Sequence, residues 1–133
     1  LVHVIRRVAK LGIADRFHFT GFLRGDEVQK MFGMSDVYVM PSVSEPFGIS
    51  PLEAMKSNVP VIISKQSGVA EVLDYAIKVD YWDVDARADA IYGLLKYPSL
   101  AAMSAEKGKS EVINLKWDNA AGEVLDVYRS LVG

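Results

Sequence analysis

The chain has 133 residues, no cysteine, two histidines and a formal net charge of -2. That excludes disulfides, thiolate nucleophiles and Cys-ligated zinc, and it leaves no basic excess of the kind that binds nucleic acid. Half of the residues are apolar and 24% are charged, the profile of one globular domain, and no apolar run reaches the length of a membrane span.

The chain begins at Leu1 rather than Met, with no signal-peptide pattern, and enters a helical repeat at once. The expectation is a piece of a longer protein. Val4, Ile5, Val8 and Leu11 recur at helical spacing, with Arg6, Arg7 and Lys10 on the other side, and Gly12 is placed to end the helix. Residues 17–20 read as a short strand closed by Gly21. His18 alternates with Phe17 and Phe19 and so faces the other way, in a structural role. Asp26 is the expected N-cap of a short helix carrying Val28, Met31 and Phe32, which ends near Ser35. Residues 37–40 form an apolar run of strand formers ending at Pro41, the pattern of a strand buried on both faces.

A helix is expected from Ser50 to about Ser57, closed by Asn58 in the left-handed conformation and by Pro60. Residues 61–63 read as a second buried strand. Ser67 and Gly68 open a short helix carrying Val69, Val72 and Leu73, and residues 76–79 form a weaker strand. From Val84 the chain reads as helical in pieces. Ile91, Leu94 and Leu95 form one stripe, broken at Pro98. A second helix covers about residues 100–113. Trp117 opens a third, with Ala121, Leu125, Tyr128 and Leu131 or Val132 on one face.

Strands alternating with helices imply α/β architecture: a Rossmann-like, doubly wound parallel sheet with helices on both faces, followed by C-terminal helices. Four strands are expected. A doubly wound nucleotide-binding domain usually has six, and the others would precede Leu1.

The candidate site is Glu45-Pro-Phe-Gly-Ile-Ser-Pro-Leu-Glu53, directly after an expected buried strand. Pro46 biases Glu45 toward extended backbone, and Gly48 permits a sharp turn and close approach of a ligand. With Ser50 as N-cap, Pro51 falls at the first helical position and Glu53 at the third. The amides near Gly48, Ile49 and Leu52 then lie unpaired at a helix start, which favours an anion such as a phosphate. Two plainer readings stand beside this. Ser50 and Glu53 have the spacing of a capping box, and a Glu before Pro is commonly a solvated loop residue.

Residues 45–55 resemble the E-x7-E signature of retaining GT-B glycosyltransferases, the large group that includes glycogen and sucrose synthases and many bacterial sugar transferases. The resemblance extends along the chain, over roughly residues 15–128. Phe17-His-Phe-Thr-Gly-Phe22 resembles the family's V-x-F-x-G strand, and Ser35-Asp-Val-Tyr-Val-Met-Pro-Ser42 its A-D-V-F-V-x-P-S run. Asn58-Val-Pro-Val-Ile-Ile63 resembles G-x-P-V-V-A, Ser67-Gly-Val-Ala-Glu-Val72 resembles G-G-x-x-E-x, and Lys116-Trp117 is similar to the Trp of its C-terminal helix.

The resemblance implies the donor-nucleotide domain of a two-domain enzyme that transfers a hexose from a nucleoside diphosphate sugar, with retention. It implies that Glu45 binds a hydroxyl of the donor sugar as the catalytic acid residue and that Glu53 binds the ribose. The amides of Phe47, Gly48 and Ile49 would face the sugar and diphosphate. No cofactor or metal is implied beyond the donor substrate. The implied partners are that donor and an N-terminal acceptor-binding domain, in the cytoplasm. Arg6 and Arg7 leave peripheral membrane association of the parent open. The family's diphosphate-clamping Arg and Lys lie on segments before Leu1, and its Gly-Gly turn is Ser67-Gly68 here. Weak nucleotide binding and no transfer by these 133 residues alone are therefore expected.

The alternative reading is a non-catalytic α/β module that binds a partner or a phosphate, since the fold alone implies no function. A response-regulator receiver lacks a recognisable acidic cluster and strand-end lysine. A phosphorylase would need a pyridoxal-phosphate lysine that is not identifiable, and an epimerase a different acid and histidine pattern. Asp80 and Asp83 fit helix capping better than metal binding. Tyr81 and Trp82 fit packing or a partly exposed loop, with stacking on a sugar or base as the second reading. Lys65 reads as a surface lysine or a phosphate contact. Ser42 and Ser44 lack a histidine that would make either a nucleophile.

Overall fold

The computed structural model describes residues 2–21, 23, 25–41 and 49–114. Its elements, in chain order, are α1 (Val2–Leu11), α2 (Asp26–Gly33), β1 (Tyr38–Met40), α3 (Ile49–Lys56), β2 (Val61–Ser64), β3 (Ile77–Val79), α4 (Val84–Lys96) and α5 (Pro98–Asn114). Short 3-10 turns lie at Ala14–Arg16 and Gly68–Glu71.

The three strands pair in the order β1-β2-β3, all parallel. Tyr38 stands opposite Val61 and Ile62 opposite Ile77, so Met40 is level with Ile63 and Ser64 with Val79. β2 is central, and all four of its residues are buried. One face of it, Val61 and Ile63, packs with Ala54 and Met55 of α3, Val59, Leu73 and Val112 of α5. Ile62 packs on the other face with Val79 and Leu94 of α4. Burial on both faces is what a continuous Val-Ile-Ile run requires.

The ends of α3 show how local sequence shapes the fold. Asn58 adopts φ 65. Its N–H donates to the Met55 carbonyl at 3.0 Å, and the Val59 N–H donates to the Ala54 carbonyl at 3.0 Å. These two bonds form a Schellman cap, and Pro60 follows where the helix cannot continue. α1 ends in the expected way, with Gly12 at φ +71. Asp83 caps α4: its Oδ1 accepts from the Ala86 N–H at 3.0 Å. Asp83→Ala should lower stability by about 1 kcal/mol, read as a shifted urea midpoint with an unchanged slope.

Several expectations are corrected. Residues 17–20 form no strand, and Phe17 and Phe19 are exposed, their rings stacked at 6.3 Å. Extended backbone becomes a strand only when paired, and among the described residues no neighbour pairs with it. The sheet therefore has three strands rather than four among the described residues. β1 is half-buried at Tyr38 and Val39, and only Met40 is buried, because one side of it is a sheet edge among the described residues. Gly25, at φ 54, is the N-cap of α2, and Asp26 is the first residue inside. Asp26 and Glu27 thus act on the helix dipole rather than as caps. Ile91 and Leu94 face inward, but Leu95 is 57% exposed. Residues 115–133, including the expected helix at Trp117, lie outside the described residues.

One tertiary tie has no sequence pattern. Glu111, near the end of α5, accepts from the Asp74 N–H at 2.8 Å and the Tyr75 N–H at 3.1 Å. A single carboxylate thereby fastens α5 to the turn that leads into β3.

Candidate donor site at the carboxyl edge of the sheet

The register aligns the carboxyl ends of the three strands: Met40 stands beside Ile63, and Ser64 beside Val79. Open parallel sheets bind ligands beyond this edge. The segment that joins β1 to α3 in sequence holds Glu45, Phe47 and Gly48 of the candidate site, which lie outside the described residues. Ile49 is the first residue of α3.

Two hydroxyls tie this edge together. Ser64 Oγ donates to the Pro41 carbonyl at 2.8 Å, tying the exit of β1 to the end of β2. Ser67 Oγ donates to the Ser64 carbonyl at 2.7 Å. Both serines are buried, and both hydroxyls are satisfied, as buried polar groups must be. The expected roles of Ser67, opening a short helix and the Ser67-Gly68 turn, did not include this bond, and Ser64 carried no expected role. The available signal was a hydroxyl residue closing an otherwise apolar strand run.

α3 begins at Ile49, two residues ahead of the expected first position at Pro51. Pro51 remains acceptable because the first-turn amides have no intrahelical acceptor. Its missing N–H leaves Ile49, Ser50 and Leu52 as the donors of that turn. Glu53 is then the fifth helical residue rather than the third. A capping box needs its acid at the third position, so this start weakens the purely structural explanation of Glu53. The inner side of α3 is Pro51, Ala54 and Met55, all buried, and Glu53 is exposed.

Behind the helix, α5 is a close backstop. A Cβ placed at Gly108 would meet the Met55 methyl at 2.9 Å, so the glycine admits the Met55 side chain. The position of Glu53 is thus set by core packing at Ala54 and Met55, one and two residues away.

Beyond β2 and β3 the edge is polar. Lys65 Nζ lies 3.7 Å from Asp80 Oδ2, with the lysine side chain 55% exposed, an ion pair worth little in energy. It makes Lys65 a surface lysine whose charge is shared with Asp80. Asp80 also accepts from Gln66 Nε2 at 2.8 Å. Asp83 is the cap of α4, so neither aspartate is presented as a metal ligand. No group of three or more His, Asp or Glu side chains suited to a metal occurs among the described residues. None of the described helices is long and apolar enough to cross a membrane.

A parallel sheet with helices on both faces defines a Rossmann-like α/β fold, a class that carries many functions. Residues 3–111 match the family model for glycosyl transferases group 1, and the chain belongs to that family. It is 34% identical over 130 residues to a glycosyltransferase of Methanocaldococcus jannaschii, covering 90% of this chain and 32% of the relative. It is 31% identical over 133 residues to the D-inositol 3-phosphate glycosyltransferase of Salinispora tropica, covering 98% of this chain and 28% of that one. The chain therefore spans about a third of the length of these relatives.

Among solved structures it resembles sucrose-phosphate synthase from Thermosynechococcus elongatus, with a TM-score of 0.79 and 28% identity, covering 97% of this chain and 33% of that one. It also resembles the C-terminal domain of a group 1 glycosyltransferase from Francisella tularensis. That match has a TM-score of 0.77 and 25% identity, covering 85% of this chain and 60% of the other.

Proposed function

We propose that this chain is the donor-binding part of a retaining GT-B glycosyltransferase that moves a hexose from a nucleoside diphosphate sugar to an acceptor. The observation that carries the reading is the pair Glu45 and Glu53, seven residues between them, after β1 in sequence and with Glu53 on α3, in a group 1 glycosyltransferase chain. Glu53, exposed on α3, anchors the ribose: a carboxylate accepts from two vicinal hydroxyls at once. Glu45 holds a hydroxyl of the donor sugar and is the catalytic acid residue of the chain. The amides of Phe47, Gly48 and Ile49 face the sugar and diphosphate, and those of Ser50 and Leu52 continue the same helix start. Such donors stabilise a diphosphate leaving group as its charge develops.

The reading requires no cofactor or metal beyond the donor. An N-terminal acceptor-binding domain completes the active site, and the parent acts in the cytoplasm. The similar proteins named above include a D-inositol 3-phosphate glycosyltransferase and a sucrose-phosphate synthase, which supports a small polar acceptor.

Two measurements test this. In an enzyme that contains this chain, the anomeric proton coupling of the product should match that of an α-configured donor; an inverted product would rule out retention. Glu45→Gln there should lower kcat by roughly a hundredfold, with a smaller change in donor KM. The 133 residues alone should bind donor weakly and show no transfer.

A further inference from the structure

We infer that Ser64 is a positioning residue for Glu45: its buried hydroxyl fixes the exit of β1, from which the segment carrying Glu45 departs. The catalytic consequence rests on the donor reading above, and the positioning itself on hydrogen bonds among the described residues.

Ser64 is out of character with its strand. Val61, Ile62 and Ile63 before it are apolar, and all four residues are buried. Ser64 is 1% exposed, and a hydroxyl at that depth costs free energy unless it is bonded. An alanine there would carry no such demand. The hydroxyl donates to the Pro41 carbonyl at 2.8 Å, 23 residues back in sequence. Pro41 directly follows Met40, the last residue of β1. It has no N–H, so its carbonyl is the only backbone group through which a hydrogen bond can hold it. It is also exposed, so core packing does not fix it. The Ser64 hydroxyl is thus the tie that sets where the chain leaves the sheet.

The main chain of Ser64 keeps β1 from running further along β2. Its carbonyl accepts from the Ser67 N–H at 3.1 Å and from Ser67 Oγ at 2.7 Å. Both lone pairs are then in use, and that carbonyl offers no acceptor to the strand beside it. β1 accordingly ends at Met40, level with Ile63. One residue therefore both stops the ladder and clasps the chain that departs from it.

Glu45 follows Pro41 by four residues and precedes Ile49, the first residue of α3, by four. The two anchors differ in kind. α3 is held by the buried Pro51, Ala54 and Met55, whereas Pro41 is held by one hydroxyl. Loss of that hydroxyl frees one end of the Glu45 segment and leaves Glu53 in place on α3. The expected signature is a fall in kcat with little change in donor KM, because a misplacement of about 1 Å can cost about a hundredfold in rate.

The test uses three variants of an enzyme that contains this chain. Ser64→Cys fills the site with a weak donor, Ser64→Ala removes the donor, and Ser64→Thr keeps it. The Cys and Ala variants should lower kcat by about tenfold or more with donor KM within about twofold, and Ser64→Thr should retain most of the parent kcat. Glu111→Ala is the control for stability alone. It frees the Asp74 and Tyr75 amides at the opposite, amino end of β3, and should lower the urea midpoint without lowering kcat.

In the 133-residue chain, Ser64→Ala and Ser64→Cys should shift the NMR signals of the Pro41 carbonyl carbon and the Glu45 amide, and Glu111→Ala should leave both in place. Parent-like kcat in Ser64→Ala and Ser64→Cys, an equal loss in Glu111→Ala, or an unmoved Glu45 signal would overturn the inference. An enzyme that turns over no nucleoside diphosphate sugar would reject the donor reading, and the Glu45 signal would then decide by itself whether Ser64 positions that segment.

Discussion

On the proposed function, Glu53→Gln should weaken binding of the nucleoside diphosphate sugar by roughly ten- to a hundredfold and leave the fold intact. The size follows from the charge-assisted hydrogen bonds lost, each worth about 1.5–3 kcal/mol. The side chain is exposed on the second turn of α3, so an isosteric change there should move stability by no more than about 0.5 kcal/mol. A capping role makes the opposite forecast: stability falls and the affinity of the folded fraction stays the same. Calorimetric titration beside a urea melt separates the two.

Ile63→Ala has the largest expected effect on stability. Ile63 is 1% exposed in the central strand and packs among Ala54, Met55, Leu73 and Val112. Truncation there should cost about 2–5 kcal/mol, the transfer term plus the cavity left behind. Against a typical domain stability of about 5–15 kcal/mol, that is a large fraction. Leu95→Ala is the control. Leu95 is 57% exposed, and its truncation should change stability by less than about 0.5 kcal/mol. Denaturant melts of both variants should show the first with a much lower midpoint and the second close to the parent.

Much of this fold was legible because the determining interactions are local. Gly12 and Asn58 end helices through their own backbone conformation, and Asp83 caps a helix from three residues away. The all-apolar residues 61–63 could only be a strand buried on two faces. The misses are tertiary. Residues 17–20 have strand composition, but a strand needs a partner, and none is present among the described residues. Leu95 lies on the expected stripe, yet only Ile91 and Leu94 meet the sheet side. Ser64, Ser67 and Glu111 act on groups brought close by folding, and no spacing rule reports such contacts.

The candidate site divides in the same way. The spacing of Glu45 and Glu53 was readable, as was the strand that precedes them in sequence, though β1 is half-buried rather than buried on both faces. The register of Glu53 on its helix was not, because it depends on where α3 starts. Starting at Ile49 moves the acid from a capping position to an exposed one. For Tyr81 and Trp82 the sequence left packing and a partly exposed loop both open, and the rings are exposed.

The most direct test of donor binding is a titration of the 133-residue chain with uridine and guanosine diphosphate sugars, each repeated with Glu53→Gln. The account predicts weak, saturable binding of one of them, displaced by the matching nucleoside diphosphate and weakened at least tenfold by the substitution. Binding that is absent for both donors, or unchanged by Glu53→Gln, would contradict it.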